Sequence, residues 1–298
     1  MPRAAVALTV VLWASAFPAI RAALDGFSAV ELSVLRLFVA SLALACVAPR
    51  FEPRRPARRD IPALVAAGAL GMSAYQLLLN AGEQTVTAGT ASLLVSIGPI
   101  FVAVLAAVFL HERITRRAAG GIAIAFSGAL IIALGQGGGV TLSSGALVVL
   151  AAALSQAAFF VLQKPLLARY TAFEVTAYAM WAGTVLLVPF GAGVPDAVAH
   201  AGAEPLLAVV LLGVGASAVG FISWAFALAR MPVSTASSAL YSVPVVAILV
   251  ALVWLGELPS LASVLGGAVA LGGVVLATAQ RTRKVAERAS AAVATVSV

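Results

Sequence analysis

The chain reads as an all-α membrane protein, with ten transmembrane helices in two inverted five-helix repeats around a central cavity. Three observations predict this. The composition is 62% hydrophobic and 10% charged, with a mean hydropathy of +1.10, far outside the range of soluble domains. Residues 88–133 recur at 233–278 with an offset of 145, no gap and 12 of 46 pairs identical. The matched pairs Pro99/Pro244, Glu112/Glu257, Gly121/Gly266 and Gly128/Gly273 mark one fold unit written twice. Finally, a cytoplasmic N-terminus places 16 of the 18 Lys and Arg inside, leaving only Arg21 and Arg36 toward the other face, as the positive-inside rule requires.

Apolar runs of about 20 residues, the length that crosses a bilayer, define the elements. They lie near 4–24, 29–49, 61–80, 85–110, 117–135, 144–164, 172–191, 205–229, 234–255 and 261–280. Runs this long and rich in Ala, Leu, Val and Gly form helices rather than barrel strands. Five runs per half, an odd number, turn the second copy over in the membrane. The expected organisation is therefore a first repeat over 1–135, an inverted second repeat over 144–280, and a basic cytoplasmic tail over 281–298. Both termini are then cytoplasmic. The pI near 10.5 reports this topology; a nucleic-acid partner would need a soluble basic domain, and the short loops leave no room for one. Residues 51–60 form a polar, Pro/Arg-rich inner connector, 136–144 a Gly-rich outer turn, and 191–204 the longest outer loop. Cys46, the single cysteine, lies within a span, and His111 and His200 sit at membrane surfaces. No metal site or cofactor is expected from so scattered a set.

Polar residues inside spans are costly unless they face protein or water, so they mark the functional face. At 100° per residue, Ser73, Gln76, Asn80, Glu83 and Gln84 share one arc of the third span. The sixth span aligns Gln156, Phe159, Phe160 and Gln163, and the eighth Gly213, Ser217, Phe221 and Trp224. The fourth presents Gly89, Ser92, Ser96 and Pro99, and its repeat partner, the ninth, Ser234, Ser237, Tyr241 and Pro244. Trp13 and Phe17 lie together on the first span. Ser and Gly stripes serve equally well as helix-packing surfaces. Amides are larger than packing needs, so Gln76, Asn80, Gln156 and Gln163 beside aromatic faces predict a wet cavity for a zwitterionic or modestly polar solute.

Pro99 and Pro244 fall in the middle of their spans, where each removes a backbone donor. Paired weak points in an inverted repeat are hinge candidates for alternating access, with a static kink as the alternative. Gly121, Ala125 and Ala129, echoed by Ala262, Gly266 and Ala270, form small-residue faces suited to close packing or a dimer contact. Arg36, two turns into the second span, reads as a snorkelling or carbonyl-pairing residue. Glu112 and Glu257 read as caps or loop bridges, and Lys164 as an interfacial anchor.

A Ser/Thr-bearing helix with central Pro, a terminal Glu, a short turn and a Gly-bearing helix, all twice over, resembles the EamA repeat of the drug/metabolite transporter superfamily. Trp13-Ala14-Ser15-Ala16-Phe17-Pro18 and Arg36 also resemble that family's pattern. Within it the chain is most similar to the YddG-type amino-acid exporters of bacterial inner membranes. The resemblance implies a basket of helices around a cavity lined by spans 1, 3, 4, 6, 8 and 9. It also implies a transport role for third-span positions corresponding to Tyr75 and Gln76. Expected substrates are amino acids or similar small metabolites; the alternatives are drugs, amines or nucleotide-type solutes, or a channel. A monomer or weak dimer is expected. An enzyme would need a Ser/His, paired-Asp or metal-His group at depth, which two surface histidines cannot supply.

Overall fold

The structure is a computed structural model that describes residues 2–109, 115–135, 143–228 and 239–277. Among the described residues, eight helices are long and apolar enough to cross a membrane: α1 (Pro2–Leu24), α2 (Ala29–Arg50), α3 (Arg58–Glu83), α4 (Ala88–Phe109), α5 (Arg116–Gly135), α6 (Ser144–Gln163), α7 (Ala172–Phe190) and α8 (Ala203–Trp224). Two shorter apolar helices follow, α9 (Leu240–Leu255) and α10 (Leu261–Ala277). No strand occurs among the described residues. Helices close every backbone hydrogen bond within one segment, which is what a chain this apolar needs in hydrocarbon.

Local sequence sets the helix ends. α2 and α7 each begin with a capping box. Ser28 Oγ accepts from Glu31 N while Glu31 Oε2 accepts from Ser28 N at 2.8 Å. Thr171 and Glu174 do the same at the start of α7. At the end of α9, Gly256 takes the left-handed conformation with φ 67°, which suits a residue without Cβ. Inside α3, residues Ala69–Ala74 are π-helical, and inside α8 so are Leu211–Val219. The sequence offset carries 69–74 onto 214–219, so both halves hold the same irregularity. A π-turn inserts extra residues per turn and rotates everything beyond it.

Helix packing also occurs in exchanged pairs. α1 packs on α8 and α9, and its repeat equivalent α6 packs on α3 and α4; α2 packs on α8, and α7 on α3. α2 and α7 meet antiparallel, through Ser41–Thr184 and Trp181 Nε1 donating to Ser41 O. α5 and α10 touch backbone to backbone. A Cβ at Gly121 would meet Gly273 O at 2.7 Å, one at Gly128 would meet Ala270 Cα at 2.7 Å, and one at Gly266 would meet Gly128 O at 2.8 Å. The small-residue faces are therefore an intramolecular contact between α5 and α10, running antiparallel.

The 51–60 connector is clamped to the start of α7. Arg54 Nε donates to Glu174 Oε1 at 3.1 Å, and Arg54 N donates to the same oxygen at 2.8 Å. Asp60 receives Arg169 at 2.6 Å and the Tyr170 hydroxyl at 2.8 Å. The hydrogen bond and charge of Glu174 hold the Arg54 guanidinium above its ordinary pKa.

Candidate functional site

The most unusual feature of the interior is a buried polar cluster between α2, α3, α6 and α8. Arg36 is 4% exposed. Its Nε donates to Ser217 Oγ at 3.0 Å, joining α2 to α8. Tyr75, Gln76, Asn80 and Glu83 line the facing side of α3 and are all buried. Asn80 Nδ2 donates to Ser33 Oγ at 2.9 Å, and the Tyr75 hydroxyl interacts with the half-buried Gln156 of α6. Among the described residues, five buried side-chain atoms have no hydrogen-bond partner: Arg36 Nη1, Gln76 Oε1, Asn80 Oδ1, and both oxygens of Glu83. Buried polar atoms are normally satisfied, so five in one cluster need a reason.

Beside the cluster runs a wall of aromatic rings from α1, α6 and α8. Trp224 and Phe221 flank Trp13, with ring centroids 5.7 and 5.3 Å away. Phe159 continues the wall, 6.5 Å from Phe221 and 5.6 Å from Phe160. Trp13 is fixed by its Nε1, which donates to Ala216 O at 3.1 Å. That carbonyl lies in the π-helical part of α8. Tilted and edge-to-face rings at these distances attract one another beyond simple burial.

One end of the bundle carries a strut. Arg21 on α1 reaches Glu257 Oε1 at 3.2 Å and donates from Nη1 to Glu83 O at 2.6 Å. Glu257 Oε2 accepts from Ala88 N, the first residue of the helical part Ala88–Val95 of α4, at 3.3 Å. Glu257 therefore bridges to α1 and to the start of α4, while Ser260 accepts from Ser263 N at the start of the helix that follows it. Glu112 lies outside the described residues, and so do Ser234 and Ser237.

Of the expected site residues, the structure brings together Trp13, Tyr75, Gln76, Asn80, Gln156, Phe159, Phe160, Ser217, Phe221 and Trp224. Phe17 instead packs into the core with Ala14, Ile20 and Leu79. Ser92 and Ser96 turn their hydroxyls back onto Gly89 O and Leu93 O of their own helix. Tyr241 packs at the Ile97/Ile100 cluster, and Gln163 is half-buried on α6. Ser73 leaves the α3 stripe and donates to Gly183 O of α7 at 2.9 Å; it lies in the π-helical turn, where 100° spacing no longer holds.

Two readings are corrected. Arg36 does not snorkel, because its helix face, shared with Ser33, Leu37 and Ala40, is the interior face. The two prolines do not interrupt continuous helices. α4 is broken at Ser96–Ile97 into Ala88–Val95 and Gly98–Phe109, and Pro99 stands in the first turn of the second piece. Pro244 likewise stands in the first turn of Val243–Leu255, after the short 3-10 turn Leu240–Ser242. A first-turn proline loses nothing, because its missing N–H would have no partner there.

A helical membrane bundle with a polar cluster and aromatic wall buried between its helices is the architecture of a multi-span membrane transporter. The chain belongs to the EamA-like transporter family, whose model matches twice, at residues 4–134 and 143–279. It is 52% identical over 272 residues to a probable terminal-alkyne amino-acid exporter of Streptantibioticus cattleyicolor, covering 91% of each chain. It is 38% identical over 267 residues to the uncharacterized transporter YdfC of Bacillus subtilis, covering 90% of this chain and 87% of that one. A solved crystal structure superposes with a TM-score of 0.63 at 19% identity, over 95% of this chain and 98% of the other; that likeness speaks to the fold.

Proposed function

We propose that this protein is an inner-membrane secondary transporter that exports amino acids or similar small metabolites with broad selectivity. Its working unit is two inverted five-helix repeats, 1–135 and 144–280, with both termini and the 281–298 tail in the cytoplasm. The exchanged packing pairs, the antiparallel meeting of α5 with α10 and α2 with α7, and the double family match support this arrangement. The reading is carried by the aromatic wall standing against buried amides and charges between helices of both halves. Polar groups orient a small solute while ring faces accept varied side chains. The exporter relative in Streptantibioticus points to the same substrate class.

Transport proceeds by alternating access. The Arg21–Glu257 strut closes one end, and the helix breaks at Ser96–Ile97 and before Val243 let each half bend in turn. The solute contacts Gln76, Asn80, Gln156, Gln163 and Ser217. Trp13, Phe159, Phe160, Phe221 and Trp224 supply the apolar walls. The test is uptake into proteoliposomes containing the full chain, across a panel of amino acids including a terminal-alkyne one, amines and nucleotides, with and without a pH gradient. Saturable, mutually competing uptake of amino acids is the expected result. Uptake of amines or nucleotides alone, or uptake that does not saturate, would replace the reading with a drug exporter or a channel.

A further inference from the structure

The five unpartnered atoms divide by chemistry. Four are acceptors that follow one another on a single face of α3: Gln76 Oε1, Asn80 Oδ1, Glu83 Oε1 and Glu83 Oε2. The fifth is a cationic donor, Arg36 Nη1, on α2 opposite them. Gln76, Asn80 and Glu83 fall at i, i+4 and i+7, so their side chains share one side of the helix. Arg36 is aimed by its Nε bond to Ser217, which leaves Nη1 as the free arm of the fork. Arg36 Nη1 and both oxygens of Glu83 are without partners, so the two side chains do not bond to each other through these atoms. A guanidinium and a carboxyl held in one dry cluster and not bonded to each other fit a ligand with a negative and a positive end.

We propose that Arg36 and Glu83 are the two poles of a clamp for a zwitterionic α-amino acid. Arg36 Nη1 donates to the substrate carboxylate. The oxygens of Glu83, with Asn80 Oδ1, accept from its ammonium group. The side chain of the substrate then lies toward Phe159, Phe221 and Trp13. This rests on the amino-acid reading above and adds to it the residues that recognise the invariant part of the substrate. It also explains how an aromatic wall tolerant of many side chains coexists with a fixed class of solute. In this conformation the poles are shut from solvent, and the strut whose Arg21 holds the backbone of Glu83 is the seal over them. Opening that end breaks the strut and uncovers the clamp.

The experiment measures competition against labelled phenylalanine uptake in proteoliposomes, and ligand-induced thermal shift of the purified full chain. Three unlabelled compounds are compared: phenylalanine, phenethylamine without the carboxylate, and N-acetylphenylalanine without the ammonium. In the wild type, phenylalanine should bind at least tenfold more tightly than either. Arg36→Gln should erase the preference over phenethylamine and keep that over N-acetylphenylalanine; Glu83→Gln should do the reverse. Arg36→Lys retains the charge and should retain part of the first preference. A wild type that takes up phenylalanine but binds all three alike overturns the clamp without any variant. So do variants that weaken all three compounds by the same factor, the result expected of a purely structural pair. A wild type that binds no amino acid overturns the transport reading itself, and the two failures are thereby distinguishable.

Discussion

Removing Arg21 tests whether the strut holds one end of the transporter shut. The side chain makes three contacts: Nε and Nη2 to Glu257 Oε1, both at 3.2 Å, and Nη1 to Glu83 O at 2.6 Å. Charge-assisted hydrogen bonds contribute about 1.5–3 kcal/mol each when buried, whereas exposed ion pairs contribute about 0–1 kcal/mol. The two side chains are 30% and 23% exposed, so the strut as a whole is worth about 1–2 kcal/mol on this scale. With the strut made only in the closed arrangement, as proposed above, Arg21→Ala should raise the population open at that end by a factor of about 5–30. The assay is labelling of a cysteine placed at Ser92, in a Cys46→Ser background, by an impermeant reagent applied from outside. Ser92 is 1% exposed and lies one turn into α4 from the strut, so labelling reports opening. Glu257→Gln should give a smaller rise, because the neutral amide still accepts from Arg21. Arg54→Ala, which breaks the clamp at Glu174, should give none. Equal labelling in wild type and Arg21→Ala would show that the strut carries no gating free energy.

Other perturbations have equally definite outcomes. Gly128→Ala drives a Cβ against the Ala270 and Gly266 backbone, an overpacking that costs about 1–3 kcal/mol. Gly120→Ala meets nothing within 4 Å and should stabilise by about 0.5–1 kcal/mol through helix propensity; detergent melting curves moving the same way for both would refute the packing account. Pro99→Ala and Pro244→Ala should leave phenylalanine binding intact, slow turnover, and shift Ser92-site labelling in opposite directions, because binding needs one state and turnover both. Identical labelling and full transport would make the two breaks static. Trp224→Ala removes one end of the aromatic wall and should weaken binding of phenylalanine more than that of alanine, with abundance on immunoblots unchanged. An equal loss for both solutes would reduce the wall to packing.

The parts of this architecture that repeat locally were legible in the sequence. Helix boundaries followed from hydropathy, and the ring positions Phe159, Phe160, Phe221 and Trp224 from angular spacing within single helices. Arg36 was legible in principle, since Ser33, Leu37 and Ala40 share its face; what lay beyond reach was that α8 would bring Ser217 across it. The full burial of Glu83 lay beyond reach, because closeness to a helix end says nothing about burial once α1, α4 and the α9–α10 turn fold over that end. The π-helical turns have no sequence signature, and they displaced Ser73 while leaving Gln76, Asn80 and Glu83 in register. The prolines signalled the right places, but whether a helix kinks or breaks there depends on the neighbouring residues, which end one helix at Val95 and restart another at Gly98.

The central claim is outward movement of amino acids through this cluster, and intact cells test it most directly. Cells expressing the full chain are loaded with phenylalanine from a dipeptide that is cleaved inside, and its release to the medium is followed over time. Wild-type protein should speed release severalfold over empty cells, and Glu83→Gln should return it to the empty-cell rate at equal abundance. Release unchanged by the wild-type protein, or equally fast with Glu83→Gln, would contradict the account.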